Sequence, residues 1–274
     1  MRLQTKIPLT RVENQIDYDS RLLFLGSCFA KNMSDKLAYF KFQGIQNPFG
    51  ILFHPLAIKN LVSRAVYRRP YLSDEVFYWN ERWQCFDAHS DLSATSPEGL
   101  LRNLNAGLDA TLEQIGKATH IIITLGTAWA YRYKKSGQFV ASCHKVPQKE
   151  FSKELISVAS IGESLRNVVA MIRSINQNVE VVFTVSPVRH LKDGFVENQR
   201  SKAHLLTAVH TLSGEREEYF PAYEIMMDEL RDYRFYDTDM IHPNPLAIDY
   251  IWEKFKYVWI SETTYPIMEK VAEV

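Results

Sequence analysis

A chain of 274 residues with 46% hydrophobic and 23% charged content carries enough apolar material for one sizeable core, expected as a single α/β domain over 1–274 with its core at about 20–260. Lysine plus arginine and aspartate plus glutamate both number 32, which excludes a global field that would draw in nucleic acid or an anionic membrane. No signal-peptide core opens the chain and no later run approaches a membrane span, so a cytoplasmic protein is expected, with Cys28, Cys85 and Cys143 as reduced thiols.

Strands alternate with helices along the sequence, the pattern of a mostly parallel sheet covered on both faces. The first strand is the apolar run Leu22-Leu23-Phe24-Leu25, followed by Gly26-Ser27-Cys28-Phe29-Ala30 and a helix at about 29–39, with Met33, Leu37 and Phe40 at helical spacing. Pro48 is expected to hold Asn47 extended, and Gly50 to take positive φ, so residues 45–50 read as a loop before a second helix opens at Pro55. Between Glu75 and Asp87 two aromatic runs flank Asn80-Glu81, a β-hairpin inserted into the frame. A helix from Pro97 to about Gly116 carries the stripe Leu101, Leu104, Leu108, Leu112 and Ile115.

The second buried strand is Ile121-Ile122-Ile123-Thr124-Leu125, and a second inserted hairpin joins residues 129–133 to 138–141. A long helix with Leu155, Leu165, Val169 and Ile172 leads to a third buried strand, residues 179–185, without polar alternation. Residues 188–194 read as a loop, 198–211 as a helix whose Arg200, Lys202 and His204 form a solvated face, and 223–226 as a last strand. The terminal helix is capped by Asn244 and opened by Pro245, with Ile248, Ile251, Trp252 and Phe255 on its inner face.

Ser27 stands at a strand-to-helix turn, where an α/β sheet opens into its ligand crevice and a helix N-terminus offers unpaired amides. A serine there is either an N-cap or a nucleophile, and the second reading needs a base. Asp239-Met240-Ile241-His242 supplies one: the carboxylate can hold one ring nitrogen of His242 while the other faces the serine, and Pro243 keeps His242 out of the helix. The alternatives are a surface turn for Asp239 and His242, a Cys28 nucleophile at the helix N-terminus, and a metal hydrolase on Asp237, Asp239 and His242. Against the last, His54, His144, His190 and His204 show no ligand spacing, and Cys28 reads as a small apolar packing group.

With these residues in place, the chain resembles the GSCFA family, a branch similar to the SGNH or GDSL hydrolases. The first block, Leu25-Gly26-Ser27-Cys28-Phe29-Ala30, is the specific one. Asn47-Pro48-Phe49-Gly50, Leu125-Gly126-Thr127-Ala128-Trp129, Ser186-Pro187-Val188-Arg189-His190 and Asp239-Met240-Ile241-His242 resemble later blocks in the expected order. The resemblance implies a three-layer α/β/α sandwich of flavodoxin-like strand order with inserted β-hairpins. It also implies a Ser27, His242 and Asp239 triad acting on an ester.

The oxyanion donors implied are the Ser27 amide, Gly50, and a third-block asparagine. In this sequence the third block reads Gly126-Thr127-Ala128, so the asparagine is missing, a loss of about 3 kcal/mol of transition-state stabilisation unless replaced. Asn47 or the Thr127 hydroxyl are the candidate replacements, and Arg189 or His190 candidates for an anionic part of substrate. The function expected is hydrolysis or transfer of an O-acyl ester, acetyl on a sugar or another small polar alcohol, with no metal or organic cofactor. Trp79, Trp83, Trp129, Tyr131 and Tyr133 read as hairpin core, or else as a platform for a carbohydrate ring. The rival function is a catalytically weak carbohydrate- or ligand-binding module on the same fold.

Overall fold

A computed structural model describes residues 4–212 and 217–273. The chain begins with β1 (Arg21–Gly26), α1 (Cys28–Tyr39), β2 (Gln43–Gln46), α2 (Pro55–Val66) and the hairpin β3 (Phe77–Trp79) and β4 (Arg82–Gln84). Then come α3 (Pro97–Lys117), β5 (His120–Leu125), β6 (Trp129–Tyr133), β7 (Phe139–Val140), β8 (Phe151–Leu155) and α4 (Val158–Ile175). The last third holds β9 (Glu180–Val185), α5 (Phe195–Val209), β10 (Glu217–Tyr219), α6 (Ala222–Glu224), α7 (Pro245–Trp259) and α8 (Tyr265–Ala272).

The central sheet is parallel throughout, in the order β10-β9-β5-β1-β2. Numbering its strands one to five along the chain gives 2-1-3-4-5, the flavodoxin-like order. Apolar runs fill its middle because both faces are covered. Leu23, Leu25, Ile121, Ile123, Val181 and Phe183 face the core shared with α2, α3, α4 and α5. Leu22, Phe24, Ile122 and Val182 face α1 and α7 on the other side. Three layers result, α/β/α.

Capping residues set where the helices begin. His54 Nδ1, Ser96 Oγ, Ser157 Oγ and Asn244 Oδ1 accept from Ala57, Gly99, Ser160 and Ala247 amides at 3.2, 3.1, 3.1 and 3.0 Å. Ser27 occupies the same position before α1 with φ −75° and ψ 175°, yet its hydroxyl makes no cap bond.

Several expectations are corrected. Residues 223–226 are helical, α6 running into a π-helical turn at Ile225–Glu229, and the last sheet strand is the acidic β10. Leu155 ends β8, which pairs antiparallel with β6, so the second hairpin is part of a three-stranded sheet β7-β6-β8. β2 adds an edge strand, and α8 follows the helix expected to be terminal. Leu100 instead of Leu101 is buried in α3. Asn47 is left-handed at φ 42°, not extended, because its N–H donates to Phe24 O at 2.8 Å while its side-chain Oδ1 accepts from Gly26 N–H at 2.8 Å.

Candidate active site

The order 2-1-3-4-5 reverses direction between β1 and β5, the place where an open α/β sheet offers its ligand crevice. Gly26 closes β1 with φ 127°, and a Cβ at that position would sit 2.0 Å from Thr124 O, so only glycine brings the chain this close to β5. Ser27 follows, fully buried, and its Oγ has no hydrogen-bond partner among the described residues. Gly126, just past β5, closes over it: an ideal Cβ there would lie 3.3 Å from Ser27 Cβ and 3.1 Å from Phe53 O.

His242 lies in the loop before α7, the helix that shares its layer with α1. Asp239 Oδ1 accepts from the Ile241 and His242 amides at 2.8 and 3.0 Å, and Oδ2 lies 2.7 Å from His242 Nδ1. The His242 amide, the His242 ring and then the Ile241 amide hold the Asp239 carboxyl down to about 2. An ionised carboxylate only accepts, so Nδ1 carries the proton and Nε2 of the neutral ring is left as the acceptor, the tautomer a general base needs. Both side chains are about half exposed, and Ser27 Oγ is not hydrogen-bonded to the ring. Dyad and serine are therefore built, at the same end of the sheet, without touching.

The remaining predicted residues divide. Asn47 lies against the serine turn through Gly26, and its Nδ2 makes no hydrogen bond among the described residues. The Ser27 amide donates to Thr124 O at 3.1 Å and the Gly50 amide to Asn47 O at 2.7 Å, so both expected oxyanion amides are engaged. Gly50 has φ 69° in that turn. The Gly126 and Thr127 amides both donate to Phe53 O, at 2.9 and 3.0 Å, and Thr127 Oγ1 is tied to Ser201 Oγ and Trp129 N at 3.0 Å each. Arg189 braces the dyad loop, its amide donating to Ile241 O at 3.1 Å and its Nη1 to Met240 O at 3.0 Å. The His190 ring packs edge-on against Phe53 with Nε2 buried and unpartnered, and burial, Lys202 and His242 together push it down to about 3.

The sequence reading found the helix α5 but missed its polar inner face. Lys202 is not on a solvated face: it is 1% exposed, and its Nζ donates to Gly126 O at 2.8 Å and Ser186 O at 2.7 Å. His204, also assigned to that face, turns its Nδ1 to Ile156 O at 2.8 Å, and Arg200 alone of the three is exposed. Asn198 Oδ1 accepts from the His190 amide at 2.8 Å and Ser201 Oγ from the Ala128 amide at 2.7 Å. The signal was present, since residues 198, 201 and 202 share the helical face of Leu205, Ala208 and Val209.

A cleft of about 820 Å³ runs from His242 between α1 and α7, lined among others by Cys28, Asn32, Tyr39, Phe40 and Trp252. Cys28 is thus half-buried at a cleft wall and not simply packed; burial raises its thiol pKa, opposed by the opening amides of α1. None of the hairpin aromatics Trp79, Trp83, Trp129, Tyr131 and Tyr133 lines this cleft. Among the described residues, Asp237, Asp239 and His242 do not gather with other ligands into a metal set, and no helix is long and apolar enough to cross a membrane.

The model of the GSCFA family matches residues 21–255. No curated protein matches the chain. Solved structures similar to it include a carbohydrate esterase family 3 protein from Talaromyces cellulolyticus (TM-score 0.41, 8% identity, 93% of this chain and 99% of that one). An acetyl xylan esterase, Est2A, from the rumen bacterium Butyrivibrio proteoclasticus scores 0.41 at 11% identity, covering 94% of this chain and 66% of that one. A family two carbohydrate esterase from Clostridium thermocellum in complex with cellohexaose scores 0.40 at 11% identity, over 99% and 68%.

Proposed function

Because this chain belongs to the GSCFA family and buries the Ser27 hydroxyl without a partner, we propose that it is a serine-dependent acyl hydrolase or transferase acting on an O-acyl ester of a small polar alcohol or sugar. The orphan hydroxyl carries the reading. A buried hydroxyl left unpaired costs about 1–3 kcal/mol, a cost that capping α1 would have removed and that a nucleophile awaiting substrate explains. Ser27 Oγ adds to the ester carbonyl carbon as its proton passes to His242 Nε2, and the carbonyl π electrons move to the oxygen. The ester C–O bond then breaks, the alcohol leaves with the proton held by His242, and water or a second alcohol releases the acyl group from Ser27. Asp239 keeps the ring in the required tautomer.

The reaction requires His242 to reach Ser27, and the exposed loop 237–242, its stems paired at Tyr236 and Pro243 and its tip held to the body by Arg189, is the element that closes. Asn47 Nδ2, next to the serine turn, is the donor that replaces the missing third-block asparagine. Release of acetate from acetylated sugars and of alcohol from small acyl esters tests the proposal: Ser27→Ala abolishes both, and His242→Ala reduces both by about 10²-fold or more. Glycan binding without any ester cleavage would instead establish a binding module. A second reading, Cys28 as nucleophile, is favoured by its place in the cleft with His242. Activity surviving in Ser27→Ala and lost in Cys28→Ala would establish it.

A further inference from the structure

Three polar side chains on the buried face of α5 each grip the backbone of a crevice loop: Asn198 the amide of His190, Ser201 the amide of Ala128, and Lys202 the carbonyls of Gly126 and Ser186. Those two carbonyls lie just past the ends of β5, which pairs with β1, and of β9, the next strand beyond β5. Bridging two carbonyls needs only neutral donors, as an amide side chain would provide. An ammonium taken out of water carries a penalty of several kcal/mol, and among the described residues Lys202 has no carboxylate partner. The groups that face it are Cys28 from α1, His190 from the loop after β9, and the Tyr223 ring of α6 at 5.7 Å. Burial raises both the Cys28 thiol and the Tyr223 hydroxyl, so neither supplies a negative charge at neutral pH. Among the described residues the charge is uncompensated, and it lies within electrostatic reach of Cys28 in the turn that holds Ser27.

We infer that Lys202 is a positioning residue of the acyl-transfer site: it clamps the β5 and β9 ends so that Gly126 seats Ser27, and its ammonium favours the negative charge that develops there in the transition state. This rests on Ser27 being the nucleophile. Lys202 touches no substrate and acts through Gly126 and its field, in the sense in which fixed charges in a water-excluded site stabilise an oxyanion. The role requires the charged form. Burial lowers the Lys202 pKa to about 7, so the contribution is present below that pH and is lost as pH rises through it.

The test is the second-order rate of Ser27 labelling by a fluorophosphonate, measured from pH 5.5 to 9 on the wild type and Lys202→Met, with the adduct located by peptide mass spectrometry. The wild type is expected to label more slowly as pH rises above about 7. Lys202→Met is expected to label about 10-fold slower or worse at pH 6.5 and to lack the alkaline decline, which a purely structural loss would leave in place. Wild-type labelling that holds or rises to pH 9 overturns the inference, even if the variant does not fold. Equal rates and profiles in both proteins overturn it while leaving the serine reading intact. Absence of any Ser27 adduct in the wild type removes the reading and the inference together.

Discussion

Replacing Ser27 by alanine is expected to stabilise the protein while abolishing its activity. The hydroxyl is fully buried and unpartnered, so the folded state bears its desolvation without a compensating bond. Removing it recovers about 1–3 kcal/mol, less a few tenths for the contacts of one small atom. A net gain of about 1–2.5 kcal/mol raises Tm by roughly 2–4 °C for a chain of this length. Urea unfolding read by tryptophan fluorescence, with calorimetry alongside, measures both. The sign decides, because a serine that caps α1 would lose about 1 kcal/mol on the same change. A destabilised Ser27→Ala protein would show that the hydroxyl has a partner in solution and would refute the argument from its orphan state.

Gly26→Ala is expected to cost about 3–5 kcal/mol or prevent folding, since the added Cβ meets Thr124 O at 2.0 Å with φ at 127°; soluble yield and urea midpoint check it. Asp239→Asn is expected to lower ester turnover by about 10²–10⁴-fold with little change in KM, because the amide no longer fixes the His242 tautomer; steady-state kinetics read the split. Lys202 binds fewer protons in the fold than in the unfolded chain above about pH 7, so its contribution to stability rises with pH from 7 to 9. Subtracting the Lys202→Met urea midpoints across that range isolates the rise, and parallel curves would contradict it. His190, pushed down to about 3, gives stability that is present above its unfolded pKa near 6.5 and lost as pH falls toward 3. His190→Gln is expected to flatten part of that acid limb in a pH series of melts.

The central strands were legible because β1, β5 and β9 are covered on both faces and hence continuous in apolar residues. The strands that escaped lie at edges. β2 has the sequence Gln-Gly-Ile-Gln, β10 Glu-Glu-Tyr, and β8 Phe-Ser-Lys-Glu-Leu, and in each backbone pairing with a neighbour outweighs side-chain burial. The error at residues 223–226 has the opposite origin: Ala222, Tyr223, Ile225 and Met226 are all buried, and a short apolar run does not distinguish a helical turn from a strand. At the site, the Asp239 to His242 contact was visible as local spacing, and the Gly26-Ser27 turn as an apolar run meeting a helix. Lys202 was hidden by the assumption that charge means solvent, although its helical neighbours Leu205, Ala208 and Val209 mark its face as the inner one. The Ser27 amide is taken up by Thr124 O of a neighbouring strand, a tertiary pairing that was not legible, whereas the Gly50 amide closes a local turn onto Asn47 O.

Covalent trapping addresses the proposed nucleophile most directly. After reaction with a fluorophosphonate, peptide mass spectrometry is predicted to place one adduct on Ser27, absent in Ser27→Ala and sharply reduced in His242→Ala. An adduct on another residue, or a folded wild-type protein that remains unmodified, would contradict the account.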